Sequence, residues 1–147
     1  MCGPQTTDTR PRYGALVALT PPPESAAARL LTADLTFHTP GHPTSCEATH
    51  ARLTPDAACD VTRLRRLRLV IHNSGDLCRS THDCGFFRAL DLPDFGADRF
   101  VEIPLEESLS LAVGGRGIIG RRVSLCDFQS EGAQIVLAEG IVGFNFA

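Results

Sequence analysis

The stretch "LRLVIHNSGDLC", residues 67–78, decides the reading of the whole chain. Side chains alternate across a β-strand, so Leu67, Leu69 and Ile71 fall on one face, and Arg66, Arg68, Val70 and His72 on the other. That alternation predicts a half-buried strand from Leu64 to Asn73, ended by a turn at Gly75-Asp76. The pattern puts His72 on the outward face beside Val70, close to the turn. A single imidazole rarely holds a metal by itself, so the default expectation is a partly exposed strand histidine.

The rest of the chain repeats the same kind of signal. Strands are expected over Leu30 to Phe37, Cys46 to Leu53 and Phe100 to Leu105, with Pro104 marking an edge position or strand end. "SLSLAVGGRGIIGRRVSLCDF" reads as two β-like segments around a glycine-rich turn, and "AQIVLAEGIVGFNF" as a long closing β-run. Phe144 and Phe146 share a face and are expected in the core. The segments "TPPPES", "HTPGHPTS" and "TPDAACD" read as loops, and "FFRALDLPDFGADRF" as a loop with apolar anchors. Seven or eight short strands without an amphipathic helix predict an all-β sandwich or barrel, one domain over residues 13–147 behind a flexible tail at 1–12.

Composition narrows the function classes. The chain has 147 residues, is 43% hydrophobic and carries a net charge of −3, enough for a core. There is no electrostatic case for a nucleic-acid binder. The basic cluster Arg63, Arg65, Arg66 and Arg68 alternates with leucine and reads as a charged strand face. No apolar run approaches the ~20 residues of a membrane span. A secretory leader is not expected, and Cys2 stands where N-myristoylation needs glycine. The six cysteines form no CxxC pair, so free thiols in a reducing compartment are expected. Gly114-Gly115 lacks the Lys-Ser/Thr of a phosphate loop and reads as a tight turn. Glu106-Glu107 reads as a charged turn, and Cys46 and His50 as strand residues ~13 Å apart.

Three blocks in order resemble the copper-zinc superoxide dismutase family: "LVIHNSGD" (residues 69–76), "GIIGRRVSLC" (117–126) and "LAEGIVGF" (137–144). The family has, in turn, a strand ending in His-x-His before Gly-Asp, an Ile-Ile-Gly-Arg turn into a metal-binding strand, and a closing Leu-Ala-Cys-Gly strand. The resemblance covers residues 64–147 and implies an eight-stranded Greek-key β-barrel with a shortened metal-binding loop.

Carried over residue by residue, the resemblance implies heavy loss of ligands. The first histidine of the pair is Val70 and the second is His72. The metal-bridging histidine falls on Phe87 and the late copper-binding histidine on Cys126. The loop between Gly85 and Arg99 contains no histidine, only Asp91, Asp94 and Asp98. The family's disulfide positions read Thr81 and Glu139, and its substrate-guiding arginine falls near Val136. Valine and phenylalanine cannot ligate copper, so no dismutase activity, no catalytic residue and no resident cofactor are expected.

This depletion resembles the catalytically inactive superoxide dismutase-like proteins of poxviruses. That resemblance implies a viral protein of the virion or host cytoplasm, a decoy for the host copper chaperone or a partner of virion proteins. It also admits a homodimer, common in the family, and no nucleic-acid or membrane partner. The outward face at Arg66, Arg68, Val70 and His72 is one candidate surface. The alternative is a copper or zinc protein without dismutase activity. If the family geometry holds, His72 and Cys126 lie together, with Cys78, His82 and Cys84 in the adjacent loop.

Overall fold

The computed structural model describes residues 13–23, 31–81, 83–128 and 134–145. Residues 1–12, His82 and Phe146 lie outside that set, so the expected tail and the core placement of Phe146 do too. The described chain runs through ten strands: β1 (Ala15–Leu19), β2 (Ala33–His38), β3 (Glu47–Pro55), β4 (Leu67–Ile71), β5 (Arg88–Asp91), β6 (Val101–Val113), β7 (Gly117–Ile119), β8 (Arg122–Phe128), β9 (Gln134–Ile141) and β10 (Gly143–Phe144). One 3₁₀ turn, Val61–Arg63, precedes β4. The all-β expectation holds.

Two sheets face each other. One has the order β10-β1-β2-β3-β6-β7, the other β5-β4-β8-β9. The β4–β5 hairpin sits in the second sheet, while β6 returns to the first and pairs antiparallel with β3. Alternation builds the core. Leu19, Leu35, Phe37, Leu53, Leu69, Ile71 and Leu125 point between the sheets and are fully buried, the dominant favourable contribution to folding. On one side the sheets are tied by backbone bonds between Thr20 and Glu139, at 3.0 and 2.8 Å. On the other side β5 and β6 leave a cleft of about 500 Å³, lined by Leu90, Ile103 and Leu105.

Four local expectations are corrected. β4 starts at Leu67 rather than Leu64, because Asp60 caps the 3₁₀ turn through Thr62 N–H and Arg66 takes a φ of 54°. The segment "RALD" is a strand, β5, in register with Arg68 to Ile71 of β4. Its alternation is too short and too charged to stand out in sequence. β6 runs on past Leu105 for 13 residues and carries Glu106 and Glu107 within it. Pro104 pairs with His50 where β7 has not yet joined the other side of β6, so its missing N–H is tolerated. Phe144 is 48% exposed rather than core, since β10 is the outermost strand of its sheet.

The turn that ends the opening stretch is fixed by close backbone approach. A Cβ on Gly75 would lie 2.0 Å from the Gly120 carbonyl oxygen, and Gly120 itself sits at φ +89°. Both positions therefore require glycine.

Leu69→Ala should lower unfolding free energy by about 2–5 kcal/mol, because the side chain is fully buried. Val113→Ala, at 73% exposure, should stay within about 0.5 kcal/mol of the parent. Urea denaturation of both variants checks the assignment of inner and outer faces.

Candidate functional site

The outer face of β4 and β8 is not a solvent face. Val70 is opposite Ser124 on β8, and Ser124 is opposite Glu139 on β9, so the three form one row across the sheet. In the next row the His72 amide donates to the Arg122 carbonyl at 2.8 Å. The loop 73–87 folds over both rows. Val70, His72, Arg122, Ser124 and Glu139 are all buried as a result. The expected partly exposed His72 is corrected on this point, and with it the candidate surface at Val70 and His72. Arg68, further along the strand, is held by Asp91 at 2.6 Å.

The His72 ring has both nitrogens engaged. Nδ1 lies 2.8 Å from the Gly85 carbonyl oxygen and Nε2 lies 2.9 Å from Ser124 Oγ. A carbonyl can only accept, so Nδ1 carries the hydrogen and Nε2 accepts from the serine hydroxyl. Burial lowers the His72 pKa below its ordinary value, the Gly85 bond opposes that, and the nearby Arg122 charge adds to it. The ring is a neutral, fully bonded core group.

Arg122 holds the cover in place. Its guanidinium donates to Glu139 through Nε at 3.1 Å and through Nη2 in a still closer contact. Nη1 donates to two loop carbonyls, Asp76 at 3.1 Å and Arg79 at 2.7 Å, and approaches Cys84 Sγ at 3.5 Å. The Cys84 thiol donates to the Asp76 carbonyl at 3.2 Å. Burial works against the Arg122 charge, but the bonds to Glu139 and Cys84 outweigh it and raise its pKa. Glu139, at a disulfide position in the resemblance, therefore anchors the same loop through an ion pair. Sequence reading missed this pair. The available signal was that Arg122 and Ser124, both polar, alternate onto one face of a strand whose other face carries Val123 and Leu125.

The candidate ligands are not brought together. Cys126 is opposite Arg68 on β4, whereas His72 is opposite Arg122. Four strand positions separate them, ~13 Å along the strand, so the juxtaposition expected from the resemblance does not form. Cys126 and Cys84 are buried, Cys78 is exposed, and His82 lies outside the described residues. No disulfide joins the described cysteines, Cys46, Cys59, Cys78, Cys84 and Cys126. Among the described residues no group of three or more His, Cys, Asp or Glu could hold a metal ion. A copper ion does not fit here: Val70 and Phe87 offer no donor, and the Nε2 lone pair of His72 is taken by Ser124.

Phe87 has a different environment from a ligand position. Its ring packs on the core and carries three guanidinium groups around it: Arg121 at 4.0 Å from the ring centre, Arg88 at 5.6 Å and Arg116 at 5.9 Å. A second polar cluster lies on the other sheet. Glu102 accepts from Arg52 Nε at 3.1 Å and bonds His38 Nε2 at 2.8 Å. Burial alone would raise the Glu102 pKa, but the His38 and Arg52 bonds hold it below the usual carboxylate range. These residues are far apart in sequence, which is why strand alternation alone did not group them.

No helix among the described residues is long and apolar enough to cross a membrane. No family model matches the chain, and no curated protein matches it.

Glu139→Gln leaves the Arg122 charge buried without its counter-ion and should cost about 3–5 kcal/mol in urea denaturation. The same variant should expose loop 73–87 to limited proteolysis. A second outcome concerns pH. The folded His72 pKa is depressed, so the unfolded chain takes up the proton first as pH falls. Its contribution to stability is complete above the unfolded value of about 6.5 and is lost progressively below it. The parent protein should melt at lower temperature as pH drops from 7 to 5, and His72→Gln should show a shallower decline.

Proposed function

We propose that this chain is a non-enzymatic β-barrel of the copper-zinc superoxide dismutase type, a catalytically inactive relative that acts by binding another protein. The observation that carries this reading is the environment of His72. The one histidine left of the ligand set is a neutral, buried ring whose two nitrogens are already bonded to Gly85 and Ser124. The other three positions carry Val70, Phe87 and Cys126. The strand order adds support. Leaving aside the short β7 and β10, the sheets read β1-β2-β3-β6 and β5-β4-β8-β9, an eight-stranded Greek-key arrangement of the kind the resemblance implies.

A barrel kept while its redox ligands are replaced retains shape and surface. The partners that fit the resemblance to the poxvirus proteins are the host copper chaperone, for which the barrel is a decoy, and components of the virion. Host cytoplasm and virion are the matching locations. Dismutation needs a metal that cycles between two oxidation states in an open site, and the face around His72 is closed by loop 73–87.

Protein produced with added copper and zinc should contain no stoichiometric metal and should show no dismutase activity. Metal analysis and a dismutase assay on one sample check both. The decoy reading further predicts a complex with purified copper chaperone in size-exclusion chromatography. Stoichiometric metal together with activity would overturn the proposal.

A further inference from the structure

We infer that the arginine-ringed face at Phe87 is a docking surface for an acidic segment of a partner protein, with Phe86 as its apolar anchor. This goes beyond the reading above and rests on different observations, so it stands whether or not the chaperone is the partner. The Phe87 ring has Arg121, Arg88 and Arg116 within 6 Å of its centre, and such stacking orders guanidinium groups while leaving their N–H edges available. Phe86, next in the chain, is a large apolar group 63% exposed to solvent.

The charges of this patch are not balanced within it. Arg88 pairs with Glu107 at 3.0 Å. Among the described residues Arg121 donates to backbone carbonyls, those of Gly117, Asn73 and Gly115, at 2.8, 3.1 and 2.7 Å. A guanidinium has five N–H donors, so two remain on Arg121. Arg116 is exposed on the Gly114–Gly117 turn and forms no ion pair among the described residues. The protein as a whole is acidic, with net charge −3, so local excess positive charge here is not a general property of its surface.

Charge complementarity selects the occupant. Guanidinium groups match carboxylates in planar, two-bond geometry. The exposed Arg116 guanidinium and the two remaining donors of Arg121 beside one aromatic ring fit a short run of Asp or Glu with an apolar residue placed on Phe86. A nucleic-acid strand fits less well, because its continuous phosphates would run beyond this small cationic patch onto a protein of net charge −3.

The test is fluorescence anisotropy on the full chain with a labelled glutamate-rich peptide carrying one central phenylalanine. A lysine-rich counterpart and a single-stranded oligonucleotide are run beside it. The glutamate peptide should bind, weaken with added salt, and bind about tenfold more weakly to Arg116→Glu. Phe86→Ala should weaken it as well. Arg65→Glu, also exposed but outside the patch, should leave it unchanged. No binding of the glutamate peptide, equal loss with Arg65→Glu, or tighter binding of the oligonucleotide would overturn the assignment.

Discussion

The buried ion pair between Arg122 and Glu139 fixes what the second sheet can do. Two charged side chains at 4% and 7% exposure are tolerated only when each is satisfied by the other and by further hydrogen bonds. Arg122 meets that condition by reaching into loop 73–87 and bonding the carbonyls of Asp76 and Arg79. The loop is thus held down by the group that most needs it for solvation. Once it is down, it supplies the Gly85 carbonyl to His72 and covers Val70. One charge pair, placed by the β8–β9 register, accounts for the cover, the neutral histidine and the closed face.

That chain of causes bears on function. A metal site needs donors that converge and a position left open for substrate. Here the donors diverge: His72 points into the cover, Cys126 lies opposite Arg68, and Phe87 carries cations on its ring. Beside Phe87, Arg116 and Phe86 are exposed, while Arg88 and Arg121 are half-buried.

Much of the fold was legible because alternation is a local property. Leu67, Leu69 and Ile71 announce an inner face, and Gly75 announces a turn, whatever lies elsewhere in the chain. The outer face of the same strand was misread for the same reason. Whether Val70 and His72 meet water depends on a loop whose position is set by Arg122 and Glu139, about fifty and seventy residues further on. Strand β5 was missed because four residues with charged ends carry too little alternation to register, although pairing with β4 makes it a strand. The extra edge strand β10 likewise decided the exposure of Phe144. In the candidate site, the residues Val70, Phe87 and Cys126 could be read directly from the sequence, whereas the contacts that surround them are long-range and could not.

The state of the His72 ring is the most direct measurement. Long-range ¹⁵N–¹H NMR of the imidazole, recorded near neutral pH with and without added Zn(II) or Cu(I), reads its tautomer and its bonding together. A ring sealed by Gly85 and Ser124 predicts the neutral form with hydrogen on Nδ1, unchanged by either metal. Hydrogen on Nε2, a protonated ring, or a metal-dependent shift of Nε2 would contradict it and reopen the metal-binding face.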